Sequence, residues 1–261
     1  MQKRMSKKGQ MTIFVITALV IIALVVIFFL IRAGIKSKSD IINEPGEANQ
    51  RLAECVSSYM NEASNLIIQN GGYISKDKYK MFMEYEYEKV PYLCYSPSYY
   101  SRCINMEPVI VDKIEEGLYE YLSPKIETCI EELNSDLLRD VFTVTVTSET
   151  SFTLEIIPNK IEVVINKDIK IKKAGETKEF SKFIASTQSP LYDFARITQR
   201  ITEDEAKYTN SEYLNIMAAD PWMDINKFVT GDSNKIYTLT DTRTGISWRF
   251  AVRGGIISVP S

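Results

Sequence analysis

From Met11 to Ile31 the chain runs 21 residues without a charge, with Thr12 and Thr17 as the only polar side chains. As a helix this run is about 30 Å long, the thickness of a bilayer's hydrocarbon core. A secretory hydrophobic region is shorter, about 7–15 residues, and is followed by a small-residue cleavage site. Here "IRAGIKSKS" follows, basic and without an A-x-A pattern. A core helix of a globular domain would keep a polar stripe. The run therefore predicts a transmembrane helix over 11–31, a basic tail or leader over 1–10, a juxtamembrane stalk over 32–48 and a single large domain over 49–261.

Charge does not orient this helix. Lys3, Arg4, Lys7 and Lys8 precede it, and Arg32, Lys36, Lys38 and Arg51 follow it, close to a tie for the positive-inside rule. The cysteines decide instead. Cys55, Cys94, Cys103 and Cys129 are the only four, and none forms a C-x-x-C pair. Zinc sites usually bring ligands as closely spaced pairs, whereas an even set of dispersed cysteines fits disulfides in an oxidising compartment. Of the three possible pairings we favour Cys94–Cys103, which flank the short "YSPSYYSR" loop, and Cys55–Cys129, each near the apolar face of an amphipathic helix. The expected localisation is the cell membrane, single-pass, with the amino terminus cytoplasmic and the domain outside.

Beyond residue 32 the chain carries 26 Lys and Arg against 34 Asp and Glu. An acidic domain lacks the positive field that phosphate backbones require, so nucleic acid is not an expected partner. The absence of histidine removes the commonest general base and metal ligand. No phosphate-binding glycine loop or nucleophile elbow occurs. We expect no catalytic, cofactor-binding or metal-binding residues and no cofactor. A carboxylate-dependent hydrolase is the enzyme class left open. Trp222 and Trp248 could stack on sugar rings, although a tryptophan in a strand more often packs in a core.

The domain reads as α+β: an N-terminal transmembrane helix followed by helices and an antiparallel meander sheet. Residues 49–138 are mainly helical. Leu52, Val56, Tyr59, Ala63 and Ile67 mark a first helix that "NGG" at 70–72 ends. A second helix spans about 107–122, and Ser123 and Pro124 read as the cap and first residue of a third. Between them "MEYEYE" alternates with period two, which predicts an exposed strand carrying Glu84, Glu86 and Glu88 on one face. Residues 139–261 hold a sheet, a helix and a terminal hairpin. "VFTVTVTSE", "FTLEIIP", "KIEVVIN" and "DIKIKKAGE" predict four short strands between 141 and 173, with a fifth near 177–186. Ser189 and Pro190 start a helix, "SEYLNIMAAD" a shorter one, and "TRTG" lies in the loop of the last hairpin.

"KKGQ" directly before the apolar run resembles the class III signal peptides of archaeal type IV pilin-like proteins. The resemblance covers about 25 residues and implies cleavage between Gly9 and Gln10. Many such pilins carry a Glu five residues into the mature chain, where this sequence has Phe14. The domain itself loosely resembles uncharacterised single-span archaeal envelope proteins. Together these features predict a membrane-anchored extracytoplasmic structural or interaction protein of the archaeal cell envelope. Alternatives are a pilin-like filament subunit and a membrane-tethered solute-binding or sensory module. Its expected partners are the lipid bilayer, other copies of itself or envelope proteins, and glycan. Residues 79–100 hold seven of the 15 tyrosines, and Tyr95, Tyr99 and Tyr100 form the candidate interaction surface, since tyrosine is enriched at contact surfaces.

Overall fold

The computed structural model describes residues 45–98, 101–139, 143–146, 149–173, 176–232 and 234–255. The apolar run 11–31 and the processing site at Gly9–Gln10 lie outside the described residues. Among those described, no helix is long and apolar enough to cross a membrane. The domain is α+β, with four α-helices and two sheets, one mixed and one antiparallel.

Helix α1, Pro45–Gln69, buries Ala48, Leu52, Val56, Met60, Ala63 and Ile67, one stripe at three- and four-residue steps. It ends where the sequence places the stop. Gly72 N–H donates to Ile67 O at 2.9 Å and Gly71 N–H to Ile68 O at 3.3 Å, with Gly71 at φ +58°. This nested pair of bonds satisfies carbonyls that the helix end would otherwise orphan. Helix α2, Ile110–Arg139, is 30 residues long with Pro124 inside it. The sequence predicts a break at Ser123; the chain instead continues as one helix. Ile110, Ile114, Leu118, Leu122, Ile126, Ile130, Leu133 and Leu137 form one buried stripe that passes Pro124 without a change of phase. Pro124 and Glu120, whose carbonyl loses its partner, face solvent. Burying each aliphatic side chain is worth about 1.5–3 kcal/mol, which together outweighs the roughly 3 kcal/mol cost of an interior proline.

The antiparallel sheet contains β4 (Thr143–Val146), β5 (Ser151–Ile157), β6 (Lys160–Lys173) and β7 (Glu176–Gln188). "KIEVVIN" and "DIKIKK" are not two strands but one of 14 residues. The polar run Asn166–Asp168 resembles a turn in sequence, yet it forms a bulge in which the β6–β7 register shifts between Asn166 and Ile169. The bulge leaves Ile161, Val163, Ile165, Ile169 and Ile171 all buried, so the strand keeps its inward face. Strands β5, β6 and β7 are the expected meander, and β4 extends the β5 side of β6. Helix α1 covers the β7 edge: Ser57 Oγ donates to Ser186 O at 3.3 Å. This blunts an edge that would otherwise invite pairing.

Helix α3 (Leu191–Tyr208) and helix α4 (Tyr213–Ala219) follow. Helix α3 starts one residue later than expected, with Pro190 at the N-cap; Ser189 Oγ accepts from Leu191 N–H at 3.2 Å and bonds Ser64 Oγ of α1 at 2.8 Å. The mixed sheet runs β1 (Phe82–Tyr85), β2 (Glu88–Tyr95), β10 (Ser247–Arg253), β9 (Asn234–Asp241) and β8 (Met223–Val229), with β3 (Ile104–Asn105) also on β2. Strands β9 and β10 are the predicted terminal hairpin, but β10 also lies parallel to β2. The mainly helical half and the sheet-rich half therefore share one sheet and one hydrophobic core, in which Trp248, Phe250, Leu239 and Leu93 meet Ile67, Ile114 and Phe194.

Candidate interaction face

Hairpin β1–β2 turns through two residues, Glu86 and Tyr87, at φ +52° and +65°. Tyr85 pairs with Glu88 across it. Two consecutive left-handed residues make a type I′ turn, which ordinarily uses Asn-Gly. The predicted exposed strand is thus a hairpin. Glu86 occupies its tip rather than sharing a strand face with Glu84 and Glu88, and the Tyr87 side chain is fully exposed. Among the described residues, nothing packs on Tyr87 to offset the left-handed backbone of a bulky residue. Replacing Glu86–Tyr87 with Asn-Gly is expected to raise unfolding stability by about 1–2 kcal/mol, measured by urea denaturation.

The hairpin peels away from β10. Ladder pairing between β2 and β10 covers Tyr92, Cys94 and Tyr95 only, and Pro91, which has no N–H to donate, stands at the point of departure. The turn at the end of α1 is wedged there: a Cβ on Gly71 would lie 2.3 Å from Arg249 O and 2.9 Å from Pro91 Cγ. Beside the wedge is a cleft of about 370 Å³ lined by Asn70, Lys76, Glu88, Lys89, Pro91 and Arg249, among others. Its charges are largely spoken for. Lys76 pairs with Glu88 at 3.3 Å and Arg249 with Glu86 at 3.2 Å, while the Lys89 ammonium lies 4.5 Å over the Phe82 ring.

The mixed sheet rolls. Four strand spacings of about 4.8 Å would set β1 and β8 about 19 Å apart in a flat sheet, yet the rings of Tyr85 on β1 and Phe228 on β8 are 5.5 Å apart. The roll encloses a small second core of Val90, Tyr92 and Ala251, with Met83, Tyr85 and Tyr95 half-buried over it. Tyr92 O–H donates to Asn234 Oδ1 at 3.0 Å. Burial raises the Tyr92 pKa, with the nearby Arg253 charge opposing the shift, so the hydroxyl keeps its proton at neutral pH. The Arg249 guanidinium is 5.6 Å over Tyr85, and that of Arg253 is 5.6 Å over Tyr95. Tyrosine, phenylalanine and arginine are the residues that dominate protein contact surfaces.

Of the candidate surface, Tyr95 belongs to this face as a half-buried member packed 5.1 Å from Tyr92; Tyr99 and Tyr100 lie outside the described residues. The cysteines are bonded Cys55–Cys129 and Cys94–Cys103, the pairing favoured from loop length. Of the two tryptophans, Trp248 offers no sugar platform and Trp222 is half-buried. Trp248 is fully buried and stacked on Phe194, and the Trp222 ring is covered by the Arg243 guanidinium at 4.0 Å. Sequence reading misses Tyr87, Phe228, Arg249 and Arg253. The turn lacks an Asn-Gly signal, Phe228 meets Tyr85 because the sheet rolls, and Arg249 and Arg253 meet the tyrosines because β10 lies parallel beside β2.

The buried carboxylates are tied down. Glu107 accepts from Tyr73 O–H at 2.8 Å and pairs with Lys80 at 3.0 Å. Glu205 is held by Lys235 and Tyr237. The Arg243 guanidinium holds the Asp241 carboxyl below its usual range, through bonds of 2.9 and 2.8 Å. Among the described residues, no group of three or more Cys, Asp or Glu is placed to hold a metal ion. Comparison with protein-family models, curated proteins and solved structures finds no match for this chain.

Proposed function

We propose that the chain is a membrane-anchored extracytoplasmic structural or interaction protein of the archaeal cell envelope. In this reading residues 11–31 hold it in the bilayer, and the rolled sheet with its tyrosine tip meets a neighbouring envelope protein. The observation that carries the reading is the pair of disulfides, which is consistent with a domain in an oxidising space outside the membrane. The exposed Tyr87 and the arginine-flanked tyrosines supply the contact chemistry. Binding is preferred over catalysis because Glu107, Glu205 and Asp241 are committed to ion pairs and hydrogen bonds, whereas carboxylate-only acid–base work needs groups free to exchange protons. The pilin-like filament subunit is the second reading. It is favoured by "KKGQ" before the apolar run and weakened by Phe14 at the usual glutamate position.

Intact cells carrying Tyr87→Cys, at a fully exposed position, are treated with a membrane-impermeant thiol label to test the topology. Label at position 87 is the expected result, and label that appears only after lysis overturns it. The Asn-Gly tip variant tests the contact. It is expected to fold more stably than the parent and to crosslink less to envelope proteins in cells. Undiminished crosslinking would remove the tip from the interface.

A further inference from the structure

Strand β8 is an edge of the mixed sheet, and its inward face carries Met223, Ile225 and then Lys227. The first two are buried; Lys227 is half-buried. Its ammonium lies 5.1 Å from the centre of the Tyr213 ring and 5.9 Å from that of Tyr237. It donates to Asn210 Oδ1 at 2.8 Å. The same carboxamide donates through Nδ2 to Glu212 Oε1 at 3.4 Å. These two contacts orient the amide, its oxygen toward the amine and its nitrogen toward the carboxylate. An amine, a carboxamide carbon and a carboxylate beside the leaving nitrogen are thereby set in a row.

We propose that Lys227 and Asn210 form an intramolecular isopeptide bond, with Glu212 carrying the proton. The hydrogen bond brings Nζ to within about 4 Å of Asn210 Cγ, close to the roughly 3–3.5 Å of a near-attack geometry. The half-exposed Lys227 ammonium gives a proton to solvent, and the neutral amine attacks Cγ. The new Cγ–Nζ bond forms as the Cγ–Nδ2 bond breaks. Glu212, which holds Nδ2, carries the amine's surplus proton to that nitrogen, and the departing ammonia takes up a proton from solvent. The lysine's positive charge departs with ammonium, no oxidant or reductant is required, and the chain loses one ammonia. Burial lowers the Lys227 pKa, Lys235 pushes the same way, and Glu205 and Glu212 oppose them, so the neutral amine is easier to reach than on a free lysine. Asn210 and Glu212 are exposed on their outer side, which gives ammonia a path to solvent. The bond would tie the edge strand to the segment between α3 and α4.

Mass spectrometry of the reduced, denatured full chain tests this. The expected mass is short by one ammonia, and proteolysis yields a branched peptide joining Asn210 to Lys227. Lys227→Arg, which keeps the charge, and Glu212→Gln, at an exposed position, are each expected to restore the ammonia while circular dichroism stays unchanged. Ammonia lost by cyclisation of a mature Gln10 terminus would persist in Lys227→Arg and yield no branched peptide. A full parental mass, or a parental ammonia deficit no larger than that of Lys227→Arg, overturns the proposal and leaves Lys227 as an inward charge that discourages edge pairing.

Discussion

Gly71→Ala is expected to destabilise the domain by about 2–5 kcal/mol, the sum of a conformational and a steric effect. Gly71 has φ +58°, where an L side chain costs about 1–2 kcal/mol. Its added methyl would also lie 2.3 Å from the Arg249 carbonyl oxygen and 2.9 Å from Pro91 Cγ. The first contact is with backbone and the second with a stiff ring, so neither neighbour can rotate away. Relief requires the end of α1 to back out of the wedge between β2 and β10, which disturbs Trp248, whose ring is so close to Gly72 that a Cβ added there would lie 3.2 Å from it. Gly245 is the control. It has φ +72° and, among the described residues, nothing within 4 Å of an added Cβ, so Gly245→Ala isolates the conformational cost of about 1–2 kcal/mol. Urea denaturation of the two variants separates the contributions. Equal losses would mean that the wedge yields freely and that close approach is not what Gly71 provides.

Features written in neighbouring residues were legible before the structure. The stop at Asn70–Gly72 and the start of α3 near Ser189 each depend on a few adjacent residues, and the structure places the stop as the sequence predicts and the start one residue later. The α1 stripe was legible because its period is unbroken. Local signals misled where tertiary packing overrode them. Pro124 reads as a helix start, but the eight-residue apolar stripe on α2 carries the helix through it. Asn166–Asp168 reads as a turn, but ladder pairing to β7 on both sides absorbs it as a bulge. The interaction face was the least legible part. Its turn uses Glu-Tyr where a sequence reader looks for Asn-Gly. Its tyrosines on β1 and β2 meet Phe228, Arg249 and Arg253 through the parallel pairing of Ala251 with Tyr92. A pairing between segments so distant in the chain leaves no periodic mark in either one. Tyr95 could be nominated from composition alone; its role as a packed wall of the roll could not.

Removing the Cys55–Cys129 bond by paired alanine substitution is expected to cost about 4.5 kcal/mol, against about 2.7 kcal/mol for Cys94–Cys103, in the chain-entropy model. The difference follows from sequence separations of 74 and 9 residues, since a longer closed loop removes more freedom from the unfolded chain. The two bonds also hold different things. Cys55, half-buried, and Cys129, buried, join α1 to α2 beside the shared core, so their loss should lower the stability of the whole domain. Cys94–Cys103 closes the loop at the mouth of the roll, where Ser96 N–H donates to Arg253 O at 2.8 Å and Gly255 N–H to Ser101 O at 2.9 Å. Its loss should speed amide exchange at Tyr95, Ser96 and Gly255 while α1 and α2 keep their protection relative to the global value. Denaturation midpoints and site-resolved hydrogen exchange on both variants measure the two effects. If the Cys94–Cys103 variant proves the less stable, loop entropy does not set the order. The fastening of β2 to β10 would then be the stronger constraint, and the roll would be an early requirement of the fold rather than an appendage to its core.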